Sequence, residues 1–489
     1  MRILNQDALI AHGNVCGRKA IVEILEAGLQ AADPYNNTKK LVRLEKGKLI
    51  VGNPDMVPPG CPQTGDEVFD LAKIGRIFVF GAGKGVQRVA LAIEEVLGDR
   101  LTGGHVVAKY GDAIICKRVG VTLGGHPVPD EGCAIGSRKI MEMCRGMRKE
   151  DLVFTIACNG VSSLLTLPVP GITIDEAAAV TRMMQIERGV PTGDLNTIRN
   201  HIDLMKSGRA TRYFQPATAI HIMGVGPSPW EWILHHNVWQ HFLPDCSTFA
   251  DAVAAFKKWD AWDAAPASVR RHLLKADPKD ETVKADEWLT WKARVFGVMP
   301  DRISFLPTGM KKAEELGFTA HKLSGRIMAE ASQAGYVIAD IALSCEKEGV
   351  PFAPPCALFS SGEILVTVGA EPGIGGRNQE YALSAATRIA GSENVVMAGV
   401  DTDGTDGPGG RFAEDQGDVL CLAGGLVDGQ TLAAAKEQGV DVWEALKQHN
   451  TSPALWKLRS GVAVAQNISV GDFDVTLIMG RGERLPDSR

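Results

Sequence analysis

The sequence has no pair of cysteines at CxxC spacing. Its ten cysteines stand singly at positions 16, 61, 116, 133, 144, 158, 246, 345, 356 and 421, a scatter that argues against a zinc ribbon or a redox dithiol. In a long chain such thiols serve as small apolar core residues; Cys158 is set apart only by its place in a loop considered below. There is no basic block either. The net charge is −6, whereas nucleic acid and anionic membranes both demand a positive footprint. No apolar run approaches the length of a membrane span. The opening MRILNQDALIAHGNVCGRK is broken by Asn5, Gln6, Asp7 and His12 before a signal-peptide core can form, so a cytoplasmic protein is expected. Internal repeats and low-complexity tracts are missing as well. What remains is an ordinary globular composition, 45% hydrophobic and 22% charged, in a chain of 489 residues. That is too long for one core, and two or three domains are expected.

Alternation of strand and helix dominates the first half. The run Arg76 to Phe80 reads as a strand entering the turn Gly81-Ala-Gly-Lys-Gly85, with apolar residues at helical spacing from Val86 to Val96. A strand at His105–Lys109, the turn Gly124-Gly-His-Pro-Val-Pro-Asp130, a helix through Met143 and a strand at Asp151–Ile156 follow. Such alternation predicts a parallel sheet covered on both faces. Ligands in these folds sit at the carboxyl ends of the strands, where Gly83, Lys84, His126 and Asn159 would lie. Between about Pro227 and Arg302 the texture changes, and seven of the nine tryptophans fall there. This segment reads as packed connecting helices, with a lid or a homodimer face as the other uses such a segment offers. The second half predicts a long helix near Thr308–Lys347 and strands at Ala357–Phe359 and Ile364–Val368. A glycine turn at Gly373–Gly376, a helix at Asn378–Ala390 and a strand at Val395–Val400 come next.

Several clusters carry chemistry. The Gly81–Gly85 turn points backbone N–H groups and a helix start at an anion, with Lys84 at its mouth. It is not a P-loop, since no Ser or Thr follows the lysine. As a dinucleotide fingerprint it keeps Gly81 and Gly83 but puts Val86 in the third glycine position and Lys109 where a ribose-binding acid would stand. Arg377 repeats the pattern at Gly-Ile-Gly-Gly376-Arg-Asn-Gln-Glu380. A cation at a helix start opposes the dipole unless an anion is bound, the plainer reading being a pair with Glu380 or Glu371. Asn196 and Arg199 suit a hydroxyl and a carboxylate, although the cluster is also ordinary helix surface. His235, His236 and His241 do not align on one helix face, and no acid is interleaved, so they are not read as a metal site. In Asp401-Thr-Asp-Gly-Thr-Asp-Gly407 the acids fall at loop positions one, three and six, with Phe412 at twelve, which rejects an EF-hand. Carboxylates at a strand's end beside Gly404 instead suit Mg²⁺, which takes one or two of them and completes its shell with phosphates and water.

In this order, Gly81–Lys84, Gly125-His-Pro-Val-Pro-Asp130, Asn196-Thr-Ile-Arg-Asn-His201, Lys206-Ser-Gly-Arg209, Gly375-Gly-Arg-Asn-Gln-Glu380 and Asp403-Gly-Thr-Asp-Gly-Pro408 resemble the glycerate 2-kinase family with a C-terminal MOFRL domain. The resemblance implies ATP-dependent phosphorylation of D-glycerate, or of a related small hydroxy or sugar acid, at the 2-hydroxyl, with Mg²⁺. It implies an α/β fold of two domains: a Rossmann-like one at residues 1–300, including the Trp-rich segment 227–300, and a MOFRL-type one at 301–489, with the active site in the cleft between them. Lys84, Arg377 and Asp403 would be catalytic. Asn196, Arg199 and His126 would meet the acid. Gly81, Gly83, Asn159, Gly160, Ser162, Gly376 and Gly404 would meet the nucleotide, and Asp403 and Asp406 the metal.

Three loops depart from that family's pattern. Ala157-Cys-Asn-Gly-Val-Ser162 replaces a glycine-rich loop, Ser460–Asn467 replaces a glycine- and threonine-rich turn, and Met223-Gly-Val-Gly-Pro227 replaces a serine-aspartate segment. They motivate a non-catalytic sugar-acid or nucleotide-binding homologue as one competing expectation; an NAD(P)-dependent hydroxypyruvate reductase is another, with the missing third glycine and ribose-binding acid counting against it.

Overall fold

The computed structural model describes residues 1–368, 373–465 and 471–480. The chain divides into two compact units, Pro34–Pro300 and a second made of Met1–Asp33 with Asp301–Arg489. No described helix is long and apolar enough to cross a membrane.

Unit Pro34–Pro300 begins with a small antiparallel sheet of β1 (Val42–Glu45), β2 (Lys48–Val51) and β3 (Glu67–Asp70). Its main sheet holds β4 (Ile77–Ala82), β5 (Gly103–Lys109), β6 (Gly120–Gly124), β7 (Leu152–Ala157), β8 (Thr218–Met223) and β9 (Ala293–Gly297). Their order is β6-β5-β4-β7-β8-β9, and every pairing is parallel. The chain therefore runs outward from β4 to β6 and then returns to the other side of β4. This is the doubly wound order whose reversal point, between β4 and β7, opens a crevice at the carboxyl ends. All six positions of both β4 and β7 are buried, which explains why the two read as near-continuous apolar runs, Thr155 apart, rather than alternating ones.

The Trp-rich segment departs from expectation. It does contain helices, Trp230–His235, Phe249–Lys258, Ala267–Lys275 and Ala285–Trp288, but it ends in β9, the sixth strand of the sheet. It is part of this unit, within the 1–300 bounds expected for it, and supplies a strand as well as packed helices. Trp288 is buried against His221 and Trp230, with ring centroids 5.8 and 5.9 Å away.

The other unit carries β10 (Thr319–Ile327), β11 (Cys356–Gly362), β12 (Val395–Asp401), β13 (Gly424–Asp428), β14 (Gly461–Val462) and β15 (Asp472–Ile478) in the order β10-β11-β15-β12-β13-β14. Only the β10–β11 pair is parallel. Three expectations are corrected here. The long helix is two, Phe305–Glu315 and Ala331–Glu348, with β10 between them. Gly317, at φ +89°, ends the first in a left-handed conformation that glycine adopts without strain. Residues 364–368 form no strand beyond a single bridge from Leu365 to Glu330, and Leu365 and Val368 are about half exposed. Lastly, residues 1–33 belong to this unit and not to an N-terminal domain of 1–300. Helix Val15–Ala31 packs on helix Phe305–Glu315 and on β12 and β15, and its buried Arg18 pairs with Asp428. No local pattern announces a partner more than 270 residues away; the amphipathic helix announces only that it needs one.

Candidate functional site

The reversal point is laced together by backbone. The Lys84 N–H donates to the Asn159 carbonyl at 2.7 Å, and the Cys158 N–H donates to that of Ala82 at 3.0 Å. Two glycines are required by this approach. A Cβ on Gly81 would lie 2.5 Å from the Ile156 oxygen; one on Gly83, at φ +124°, would lie 2.6 Å from that of Cys158. Cys158 itself is fully buried, with burial pushing its thiol up to about 12, so it packs and does not react.

Gly160 sits between two expected site residues. A Cβ there would meet the His126 ring at 2.9 Å and the Lys84 Cγ at 3.7 Å. His126 is lowered to about 4, first by burial and then by the charges of Lys84, Lys109 and Arg199. Three cations thus surround an imidazole that is neutral at physiological pH. Lys84 has no ion-pair partner among the described residues.

Beside this point a cavity of about 420 Å³ is lined by His126, Asn159, Gly160, Ser162, Arg199 and Trp239, among others. Five residues expected from sequence therefore meet in one cavity. Arg199 is 7% exposed, and among the described residues it hydrogen-bonds neutral oxygens alone, those of Thr181, Gln185 and Asn196, at 3.2–3.3 Å. Burial lowers it to about 10, offset in part by Asp203. A guanidinium has five donors, and three are used here. Asn196 is wholly buried with both ends engaged, accepting from Arg199 and donating to Ser162 Oγ at 3.0 Å; it holds its neighbours in place. Lys206 and Arg209 lie deeper and share Asp203. Together these groups carry more positive than negative charge, the electrostatic signature of an anion site.

In the other unit Arg377 opens helix Arg377–Arg388. Its Nε donates to Asp472 at 2.8 Å and its Nη2 to Asp401 at 2.7 Å. The anions that its position called for are the protein's own. Burial alone would lower Arg377, but the charges of Asp472 and Asp401 outweigh it and hold it above its ordinary value. Glu380 pairs instead with His449 at 2.6 Å, and Glu371 lies outside the described residues.

Asp406 caps the same helix. Its carboxylate accepts from the backbone of Asn378 at 3.2 Å and Gln379 at 2.9 Å, satisfying two of the orphan amides at the helix start. Gly376 leaves room for this, since a Cβ would fall 2.3 Å from the Asp406 carbonyl oxygen. Burial raises Asp406 to about 7 despite those amides. Asp401 is raised to about 8, by burial and by the charge of Asp403. Asp403 Oδ1 accepts from Thr405, and its N–H donates to Asp401. Gly404, at φ +85°, makes the turn. Among the described residues no group of three or more His, Cys, Asp or Glu side chains is arranged to hold a metal by itself. Asp401 and Asp403 together fit a Mg²⁺ ion that arrives with phosphate ligands, because a cation there would relieve their mutual repulsion.

Sequence reasoning missed Asp472 and Asp474, and gave His241 no role. The first two stand at i, i+2 in DFDVTLI, a buried strand, so both face one side; that spacing was the available signal. Asp474 is driven well above its ordinary value by burial and by Asp472. Of the altered C-terminal loop, residues 460–465 are described; Gln466 and Asn467 lie outside the described residues.

Comparison with known proteins places these motifs. Residues 20–226 match a domain of unknown function designated DUF4147, and residues 356–469 match the MOFRL family. The chain is 31% identical to glycerate 2-kinase of Pyrococcus horikoshii over 90% of its own length and 92% of that protein's. It is also 31% identical to an Agrobacterium vitis protein named as a candidate hydroxypyruvate reductase, over 83% and 87% of the two chains. The crystal structure of glycerate kinase from Thermotoga maritima superposes with a TM-score of 0.74, at 27% identity, covering 94% of this chain and 99% of that one.

Proposed function

Since the chain belongs to the glycerate kinase family, we propose that it transfers the terminal phosphoryl group of ATP, supplied as its Mg²⁺ complex, to the 2-hydroxyl of D-glycerate or of a related small hydroxy acid. The observation that carries the proposal is the pair of cations at the reversal point, Lys84 and Arg199, neither held by a carboxylate in an ion pair among the described residues, beside a neutral His126.

Phosphoryl transfer needs positioning and charge neutralisation more than covalent chemistry. Lys84 is the group to neutralise the transferring phosphoryl oxygens. The glycine turns that open the helices at Val86 and Val161, with Asn159, leave backbone room for nucleotide phosphates. Arg199, with two donors to spare, reads the acid's carboxylate, and neutral His126 can accept a hydrogen bond from a substrate hydroxyl. Arg377 in its carboxylate frame fixes Asp401 and, through it, Asp403, the carboxylates assigned to the nucleotide's Mg²⁺. Asp406 serves this group as a helix cap.

Lys84→Ala tests the assignment. We expect kcat for ADP release to fall by about 10³-fold or more, with the circular dichroism melt unchanged; turnover like the wild type's would sink it. The reductase reading draws support from the doubly wound strand order and from the names of two relatives. Val86, fully buried in the third glycine position, and Lys109 at the end of β5 speak against it. Quenching of nicotinamide fluorescence on titration decides between the two.

A further inference from the structure

His241 belongs to the HHNVWQH stretch that neither the metal reading nor the proposed chemistry uses. His235 and His236 are exposed, whereas His241 is wholly buried. The loop that carries it is tied down. Asn237 bridges both ways, accepting from the N–H of Trp239 and Gln240 and donating to the carbonyls of Gln240 and Pro244. The His241 carbonyl accepts from Gly208 at 2.9 Å, and that of Phe242 accepts from Thr211 at 2.7 Å.

Its Nε2 lies 2.8 Å from Ser162 Oγ, and its Nδ1 has no hydrogen-bond partner among the described residues. Burial, with the charges of Lys206 and Arg199, keeps the ring neutral, so one nitrogen carries a proton and the other does not. If Nδ1 carried it, a donor would be buried with nothing to meet, the orphan that folded proteins avoid most consistently. With the proton on Nε2, the orphan is only a lone pair. His241 then donates to Ser162 Oγ, and so does Asn196 Nδ2. A hydroxyl oxygen that accepts twice has used both lone pairs, and its own proton must point elsewhere. Ser162 lines the cavity that Arg199 also lines. The neighbouring Ser163 makes the contrast, since its hydroxyl is taken up by the carbonyls of Gly125 and Pro127.

We propose that His241 is a positioning residue which, with Asn196, fixes the Ser162 hydroxyl as a donor into the cavity, where with Arg199 it binds the carboxylate of the hydroxy-acid substrate. This rests on the reading that the acid binds in this cavity. The histidine never touches substrate; it acts through the serine.

The test uses the full chain with Ser162→Ala, His241→Phe, the double variant and His241→Gln, whose amide N–H can replace Nε2–H. Each single loss should raise KM for the acid by about ten- to a hundredfold and leave KM for ATP unchanged. The double variant should be no worse than either single one, and His241→Gln should recover most of the loss. A wild-type KM in His241→Phe, effects that multiply in the double variant, or an equal rise in KM for ATP would overturn the proposal. Should His241→Phe fail to fold, Ser162→Ala must raise KM and His241→Gln must not; the reverse also overturns it. Calorimetric titration with D-glycerate separates the two readings. Binding that is lost in Ser162→Ala, in a protein that releases no ADP, keeps this proposal and removes the kinase. ADP release that is indifferent to both residues keeps the kinase and removes this proposal. A wild type that neither binds D-glycerate nor releases ADP removes both.

Discussion

Replacing Arg377 by methionine takes one cation away from two carboxylates that cannot reach bulk water. The Arg377 side chain is 26% exposed, those of Asp401 and Asp472 5% and 0%. Removing one partner from a buried pair costs about 3–5 kcal/mol, because the charge left behind is uncompensated. Asp401 has an escape, since it is raised to about 8 and can take up a proton. Its folded value lies above its unfolded one, so its contribution is present in full below about pH 4 and is lost as pH rises through about 8. At pH 5.5 Asp401 is neutral with or without Arg377, and the substitution removes chiefly hydrogen bonds to charged groups, about 1.5–3 kcal/mol. At pH 9 the wild-type Asp401 is ionised, and without Arg377, whose charge lowers it, it must take up a proton or stay uncompensated, which brings the cost to about 3–5 kcal/mol. For a unit of this size each kcal/mol moves the midpoint by about 2–4 °C, so a loss of about 10 °C is expected at pH 9 and a smaller one at pH 5.5. Differential scanning calorimetry at the two pH values measures it. A shift under about 2 °C at both, or a larger shift at pH 5.5 than at pH 9, would refute the reasoning.

Gly83→Ala should strain the reversal point by about 1–3 kcal/mol, because φ is +124° and the new methyl meets the Cys158 carbonyl; kcat should drop about a hundredfold or more with the melting temperature down by a few degrees, and wild-type kinetics would contradict the close approach. In the wild type, Asp401 and Asp406 are raised to about 8 and about 7, so stability should fall as pH rises from about 4 to about 8. MgATP should offset that fall most at the alkaline end, and a midpoint that climbs across this range would be the wrong sign.

Much of this was legible beforehand for a physical reason. Buried parallel strands such as β4 and β7 write themselves as apolar runs closed by glycine, and the glycine turns mark where backbones meet at the sheet's carboxyl edge. Hence the place of Gly83, Lys84, His126 and Asn159 at the carboxyl ends of the strands is legible in the sequence. The rest depends on pairings made across the fold. Arg377 looked as though it needed a ligand because Asp401 and Asp472, its partners, lie 24 and 95 positions away. Asp406 looked free for a metal because nothing local shows that it caps a distant helix. His241 stands beside His235 and His236 in the sequence, whereas its partner is Ser162. Chain order puts helix Val15–Ala31 with the first domain, whereas its apolar face is matched by β12 and β15.

The most direct test mixes the purified chain with MgATP and D-glycerate, follows ADP release, and identifies the product by ³¹P nuclear magnetic resonance. The account predicts steady turnover, a single product phosphorylated at the 2-hydroxyl, and loss of both in Lys84→Ala. Undiminished turnover in that variant, or no ADP with glycerate or any small hydroxy acid, would contradict it.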